Sequence, residues 1–525
     1  MLRLTLLLAL LGGCAAAPSL PPAAPTAPTP AASSEPGASV ETPKHAPAVV
    51  PAAVPPPPAQ CAEFVQHGTR GCAPAGSSRE ALAAALGKDE PAARDAALAC
   101  LEGAEELPPG SVRALRAELG PEVCSDALAT PVLEAPPKGL TPELENALLG
   151  LMVSARLARL LADPPRLEPP VDKSRFMAFF AERLTPWVLS EAAAIEKLSL
   201  EGSRLTGYGR GLAAIAAGNA DLRFVKLVRE VPLPDEMKAD KQVTDAYYGQ
   251  LDQALEPRKI RGRDAALVGL KAFAELGAAF DGRVTRARGL LNELWAGSRI
   301  DALDRLLLPE LEAPDTSTPA LALAARLPTF YTKILLADAD VTDAKVLRAL
   351  LERGVPGGLA PKLDGMKLGE VTRTLYARGL IESGRRFFRA ADFKHAHALL
   401  DGSPSELARL LSALALALEN GPADATELML KGPFVQGARD VRGLDAETAK
   451  RGRFAGLSAY DAGIVLALAP LQDDAPFWDD LARRFDTAEK LLKKAAYPGA
   501  RRDSASAHEL ADAARATAAT LRGKH

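Results

Sequence analysis

SPSELARLLSALALALENGP, residues 403–422, decides the fold class. Within it Leu407, Leu410, Leu411, Leu414 and Leu418 recur at i, i+3, i+4 and i+7, the spacing of one face of a helix. Leu416 falls on the other side, so burial on two sides is expected. Ser403 followed three residues later by Glu406 matches a capping box, in which the serine oxygen satisfies one of the free N–H groups at a helix start. Asn420-Gly421-Pro422 supplies the stop.

The same grammar extends outward in both directions. Ser77 with Glu80 and Ser506 with Glu509 repeat the capping box, and Thr141-Pro142, Thr185-Pro186 and Thr318-Pro319 place a cap before a proline at the first helical position. Stripes predict helices around Ala92–Leu101, Leu144–Leu161, Ala265–Phe280 and Lys345–Leu351, and no run of alternating residues competes. Aromatic residues make up 5% of the 525 positions, while Ala, Leu, Arg and Glu dominate the body, a composition of close-packed helices rather than sheets. The expected fold class is all-α, built of stacked antiparallel helical hairpins as an irregular α-solenoid or a multi-helix bundle. Joints rich in proline at Pro131–Pro142, Asp163–Asp172 and Pro309–Pro319 divide the body into a small cysteine-containing unit (61–136), a middle domain (140–310) and a C-terminal domain (318–525). In residues 380–400 the spacing of Gly384, Phe387, Phe393, Ala396 and Leu400 resembles the tetratricopeptide pattern, which implies two helices meeting at small residues with aromatics filling the gap.

The N-terminus carries an address. MLRLTLLLALLGG, residues 1–13, has one positive charge at Arg3, an apolar run from Leu4 to Leu11 and then small residues, the pattern of a secretory signal peptide. It is too short to span about 30 Å of hydrocarbon as a helix. Leu11-Gly12-Gly13-Cys14 resembles the lipobox of bacterial lipoproteins. That resemblance implies cleavage before Cys14, lipidation of its sulfur, a further acyl chain (palmitate) on the new amino group, and anchoring at the outer membrane, with the periplasmic or surface face left open. From Ala15 to Gln60 the chain is mostly Pro, Ala, Ser, Thr and Val, so residues 14–60 read as a disordered, lipid-anchored linker with polyproline II character.

With Cys14 assigned to lipid, four cysteines remain, Cys61, Cys72, Cys100 and Cys124, gathered just after the linker. An even number in an exported chain predicts disulfides, and three pairings are possible. Loop length favours Cys61 with Cys72 and Cys100 with Cys124. A zinc site is the competing use, but no C-x2-C spacing is present.

Little chemistry is legible beyond this. His395 and His397 lie two residues apart and face opposite sides of a helix, so no shared metal is expected. The zinc-hydrolase, serine-hydrolase and P-loop motifs are missing from the sequence. Glu382-Ser383 superficially resembles the acid step of lytic transglycosylases, but GRRFFRAAD follows it instead of that family's downstream segment. Arg258, Lys259, Arg261 and Arg263 read as a loop before a helix starting near Asp264, where cations at the positive end of the dipole call for an anion. They are the candidate site for phosphate or carboxylate groups. A net charge of −3 gives no reason to expect nucleic acid. No metal or cofactor is expected. The leading expectation is a non-catalytic envelope lipoprotein, a helical scaffold that meets the membrane through its lipid and binds another envelope protein. The alternatives are a cell-wall-acting enzyme of unrecognised type and a structural spacer without a specific ligand.

Overall fold

The computed structural model describes residues 50–66, 77–296, 302–309, 318–324, 326–336, 344–351, 354–355, 359–419, 440–468 and 472–523. Among them the chain is all-α: helices joined by turns, with short 3-10 and π segments and no strand. In chain order the helices are α1 (Cys61–Gln66), α2 (Ser78–Leu86), α3 (Pro91–Ala99), α4 (Ser111–Leu119), α5 (Ser125–Glu134), α6 (Pro142–Arg159), α7 (Lys173–Phe179), α8 (Thr185–Ser203), α9 (Gly207–Arg229), α10 (Asp235–Lys238), α11 (Lys241–Leu276) and α12 (Gly282–Leu291). After them come α13 (Pro319–Ala324), α14 (Thr329–Leu335), α15 (Ala344–Leu351), α16 (Ala360–Asp364), α17 (Glu370–Phe387), α18 (Ala390–Leu400), α19 (Glu406–Glu419), α20 (Arg442–Ala449), α21 (Ala455–Leu468), α22 (Ala475–Leu492) and α23 (Ala500–Arg522).

Two packing modes coexist. Around α9, which is buried along most of its length, α6, α8, α11 and α12 gather as a bundle. Glycine makes this possible, since a Cβ on Gly150 of α6 would lie 2.5 Å from the Cα of Gly209, and one on Gly218 would lie 2.6 Å from the backbone of Ala266. From α17 to α23, by contrast, each helix packs on the next in sequence. One apolar cluster runs from Cys61 to Ala511, and a second fills the space between α6, α8, α9 and the first half of α11.

The stripe that opened the sequence reading forms α19. Leu410, Leu411, Leu414 and Leu418 are buried, but Leu416 is exposed, so one broad face is covered rather than two. Its cap is Ser405, whose Oγ accepts from the Ala408 N–H at 3.4 Å. Ser403 instead donates to Glu370, and Glu406 accepts from the backbone of Phe454 at 3.1 Å. Asn420-Gly421-Pro422 lies outside the described residues.

Ser77 and Glu80 form the expected capping box, and Thr141 and Thr318 cap α6 and α13. Two expected starts are not starts. Ser506 lies in the middle of α23. Thr185 and Pro186 continue a helix that runs on from α7 through a π segment, Phe180–Leu184, with the Thr185 hydroxyl donating to the Phe180 carbonyl at 2.8 Å. A proline inside a helix lacks one N–H and crowds the carbonyl four residues back, and a wider π turn relieves this without ending the helix.

Helices α17 and α18 pack on each other as a hairpin. Phe387, Phe393, Ala396 and Leu400 are buried, and a Cβ on Gly384 would sit 2.8 Å from the Phe393 ring.

Candidate functional site

Cys14 and Cys72 lie outside the described residues. Cys61 is bonded to Cys124, with S–S 2.03 Å across 63 positions of sequence. This overturns the pairing favoured by loop length, Cys61 with Cys72 and Cys100 with Cys124. The reason is tertiary: α1 packs against α3, α5 and the 3-10 turn Glu122–Cys124, which brings the distant sulfur beside the near one. Cys100 is itself disulfide-bonded.

The basic quartet is neither in a loop nor at a helix start. Arg258, Lys259, Arg261 and Arg263 lie in the middle of the 36-residue α11, just past Pro257. The proline does not break the helix because the buried stripe Leu255, Gly262, Ala266, Leu270 and Phe273 holds its second half to the bundle. The anion that those cations needed is a side chain of the protein itself. Arg258 donates to Asp221 at 2.6 Å and Arg261 grips the same carboxylate at 2.7 and 2.8 Å, with Asp221 almost wholly buried on α9. Arg263 pairs with Asp264, and Lys259 lies 4.4 Å from the centre of the Trp295 ring.

Glu382 is likewise occupied. Burial alone would raise its carboxyl, but Arg385 and Arg386 donate to it at 2.6 Å each and hold it at about 2. A carboxyl so strongly ionised cannot serve as a general acid near neutral pH. Its neighbour Ser383 accepts from the Val355 N–H. His395 faces Asp364 at 3.2 Å and His397 faces Ser412 at 3.0 Å, as their spacing requires. No group of three or more His, Cys, Asp or Glu among the described residues could hold a metal ion.

Sequence reading missed a set of buried ion pairs around the cysteine-bearing unit. Arg116 of α4 is fully buried, donates twice to Asp95 at 2.8 and 2.9 Å, and also reaches Glu102 and the Phe64 carbonyl. Glu118 of the same helix accepts from Arg283 of α12 at 2.8 Å and from Tyr331 of α14 at 3.4 Å, and burial pushes its carboxyl up. Arg159 closes α6: it grips Asp126 at 2.5 and 2.7 Å and donates to the Val123 carbonyl. The same guanidinium donates to the carbonyl of Pro55 at 2.7 Å, while the Ala52 N–H donates to Ser190. The end of the proline-rich stretch is thus seated on the body, with Ala52 and Val54 packed against the second apolar cluster. A signal existed for these residues. Arg116 follows Val112 by four and Arg159 follows Ala155 by four, each a charge placed on an apolar stripe.

Above the Arg116 network lies a groove of about 410 Å3. Leu101, Leu107, Val112 and Val132 line it together with Pro108 and Pro131, and Glu102 and Arg113 form its charged rim. Its size falls within the roughly 300 to 1,000 Å3 of common ligand sites. Among the described residues no helix is long and apolar enough to cross a membrane. In comparisons with known proteins, no family model, no curated protein and no solved structure matches the chain.

Proposed function

We propose that this chain is a lipid-anchored helical scaffold of a bacterial cell envelope, held off its membrane by a proline-rich tether and binding another envelope protein. The observation that carries this reading is the seating of the tether. Arg159 joins Pro55 to Asp126 and Val123, so the proline-rich segment enters at the unit closed by the Cys61–Cys124 bond and bearing the groove. In this reading Cys14 carries the lipid, and the proline-rich stretch that follows it in the sequence serves as the spacer. The lipobox Leu11-Gly12-Gly13-Cys14, the tether and the oxidised cysteines support one another as features of an exported protein.

The partner surface in this reading is the groove of Leu101, Leu107, Val112 and Val132, stiffened from below by Arg116. The test is photo-crosslinking in the cell of the full lipidated chain, with the probe at Val132 in the groove or at the exposed Leu416 on α19. The expected result is one reproducible protein adduct from position 132, missing from position 416 and lost when Pro131→Arg fills the rim. Identical adducts from both positions, or none from position 132, would contradict the proposal.

A further inference from the structure

A second, smaller pocket of about 180 Å3 opens between α6, α9 and α12, and its lining is chemically uneven. Its wall is made of short aliphatic groups, with Ala158 and Leu157 on α6, Ala216 and Ala220 on α9, and Leu290 on α12. Asn219, which is 9% exposed, lines it, and its Oδ1 is buried with no hydrogen-bond partner among the described residues. A buried amide oxygen without a donor is costly, and a ligand that brought a donor to this wall would remove that cost.

Two guanidiniums stand at the mouth with one carboxylate between them. Glu122 is engaged, since one oxygen accepts from the Ser154 hydroxyl at 2.8 Å and the other from Arg286. Arg223 forms no hydrogen bond or ion pair among the described residues, so the pocket carries one cation in excess. Arg223 is solvent-exposed at the mouth, and its pKa is lowered by desolvation and by the neighbouring Arg286 and partly restored by Glu122, so a bound anion would favour its charged form. Arg223, Ala220, Asn219 and Ala216 sit at i, i−3, i−4 and i−7 on one helix, which aligns cation, amide and methyl wall along a single face.

We propose that this pocket binds a small α-amido or α-amino carboxylate. Its carboxylate lies against Arg223 and Arg286, the N–H two bonds away donates to Asn219 Oδ1, and a methyl-sized side chain rests on Ala158, Ala216 and Ala220. The volume lies below the range for drug-sized ligands and admits one or two small residues. Such chemistry comes from a free small amino acid or from the C-terminus of a peptide ending in one. The site stands apart from the scaffold reading, using neither the tether nor the groove.

The test is calorimetric titration of the full, disulfide-bonded chain with alanyl-alanine, alanyl-alanine amide and alanine. The acid should bind, and the amide should bind at least about tenfold more weakly, because only a carboxylate bridges the two guanidiniums. Arg223→Ala should weaken the acid about tenfold or more. Arg223→Gln, which keeps the stem that packs on the pocket, should give the same loss if the charge is responsible. Asn219→Ala should cost several-fold for the dipeptide. Preference for the dipeptide assigns a peptide C-terminus, and equal binding of alanine assigns the free amino acid. No binding to the unsubstituted chain, equal binding of acid and amide, or binding that survives both Arg223 substitutions would overturn the proposal.

Discussion

Arg116 in the cysteine-bearing unit and Asp461 in the C-terminal ladder are both fully buried, yet the protein handles them in opposite ways. Arg116 stays charged inside a cage of Asp95, Glu102 and the Phe64 carbonyl. Asp461, on the largely apolar helix α21, has neither carboxylate oxygen hydrogen-bonded among the described residues. Burial first, and then the nearby Asp503, hold its carboxyl far above the ordinary range and keep it protonated. A buried charge is tolerated either by full pairing or by being neutralised. The N-terminal half uses pairing, which ties helices distant in sequence, as Arg283 ties α12 to α4 and Arg159 ties α6 to α5 and to the incoming tether. The ladder from α17 to α23 packs each helix on the next.

Each substitution below tests that contrast, beginning with the largest effect. Arg116→Met leaves Asp95 buried without its cation and should lower stability by about 3 to 5 kcal/mol in urea unfolding. A loss under about 1 kcal/mol would mean that the cage is not a brace. Removing the Cys61–Cys124 bond with paired serine substitutions releases a loop of 63 positions, and chain entropy alone gives a loss of about 4 kcal/mol. The calorimetric midpoint should fall accordingly.

Asp461→Asn is expected to act in the other direction. In the folded chain Asp461 keeps its proton above pH 3.8, whereas the unfolded chain gives it up, so stability falls as pH rises from about 4 through the raised folded value. Asparagine removes that slope and should be more stable than the native residue by about 1 to 3 kcal/mol at pH 8, with the difference vanishing near pH 3. Unfolding curves for the two chains that stay parallel across this range would show that Asp461 has a partner. Smallest of all, Ser77→Ala should cost about 1 kcal/mol as a lost cap, while Ser506→Ala, inside α23, should change stability by less than about 0.5 kcal/mol.

Much of the fold was legible because helices announce themselves locally. The stripes at Leu410–Leu418 and the caps at Ser77, Thr141 and Thr318 depend on residues within one or two turns, and they fall where the spacing placed them. Prolines misled where tertiary packing overrode a local rule: Pro186 and Pro257 lie inside continuous helices, and the second of these turned an expected cationic loop into a mid-helix face gripping Asp221. The Cys61–Cys124 pairing depends on how α1, α3 and α5 meet, which spacing along the chain does not encode. Charges on apolar stripes, at Arg116 and Arg159, were visible all along and mark the interior ties. Their partners were not, because those come from other helices.

Mass spectrometry of the chain taken intact from its native cells tests the proposed function most directly. The account predicts a mature chain beginning at Cys14 with lipid on its sulfur and amino group, and a crosslinked peptide joining Cys61 to Cys124. An uncut N-terminus reading MLRLTLLLALLGGC, with Cys61 and Cys124 recovered as free thiols, would contradict it.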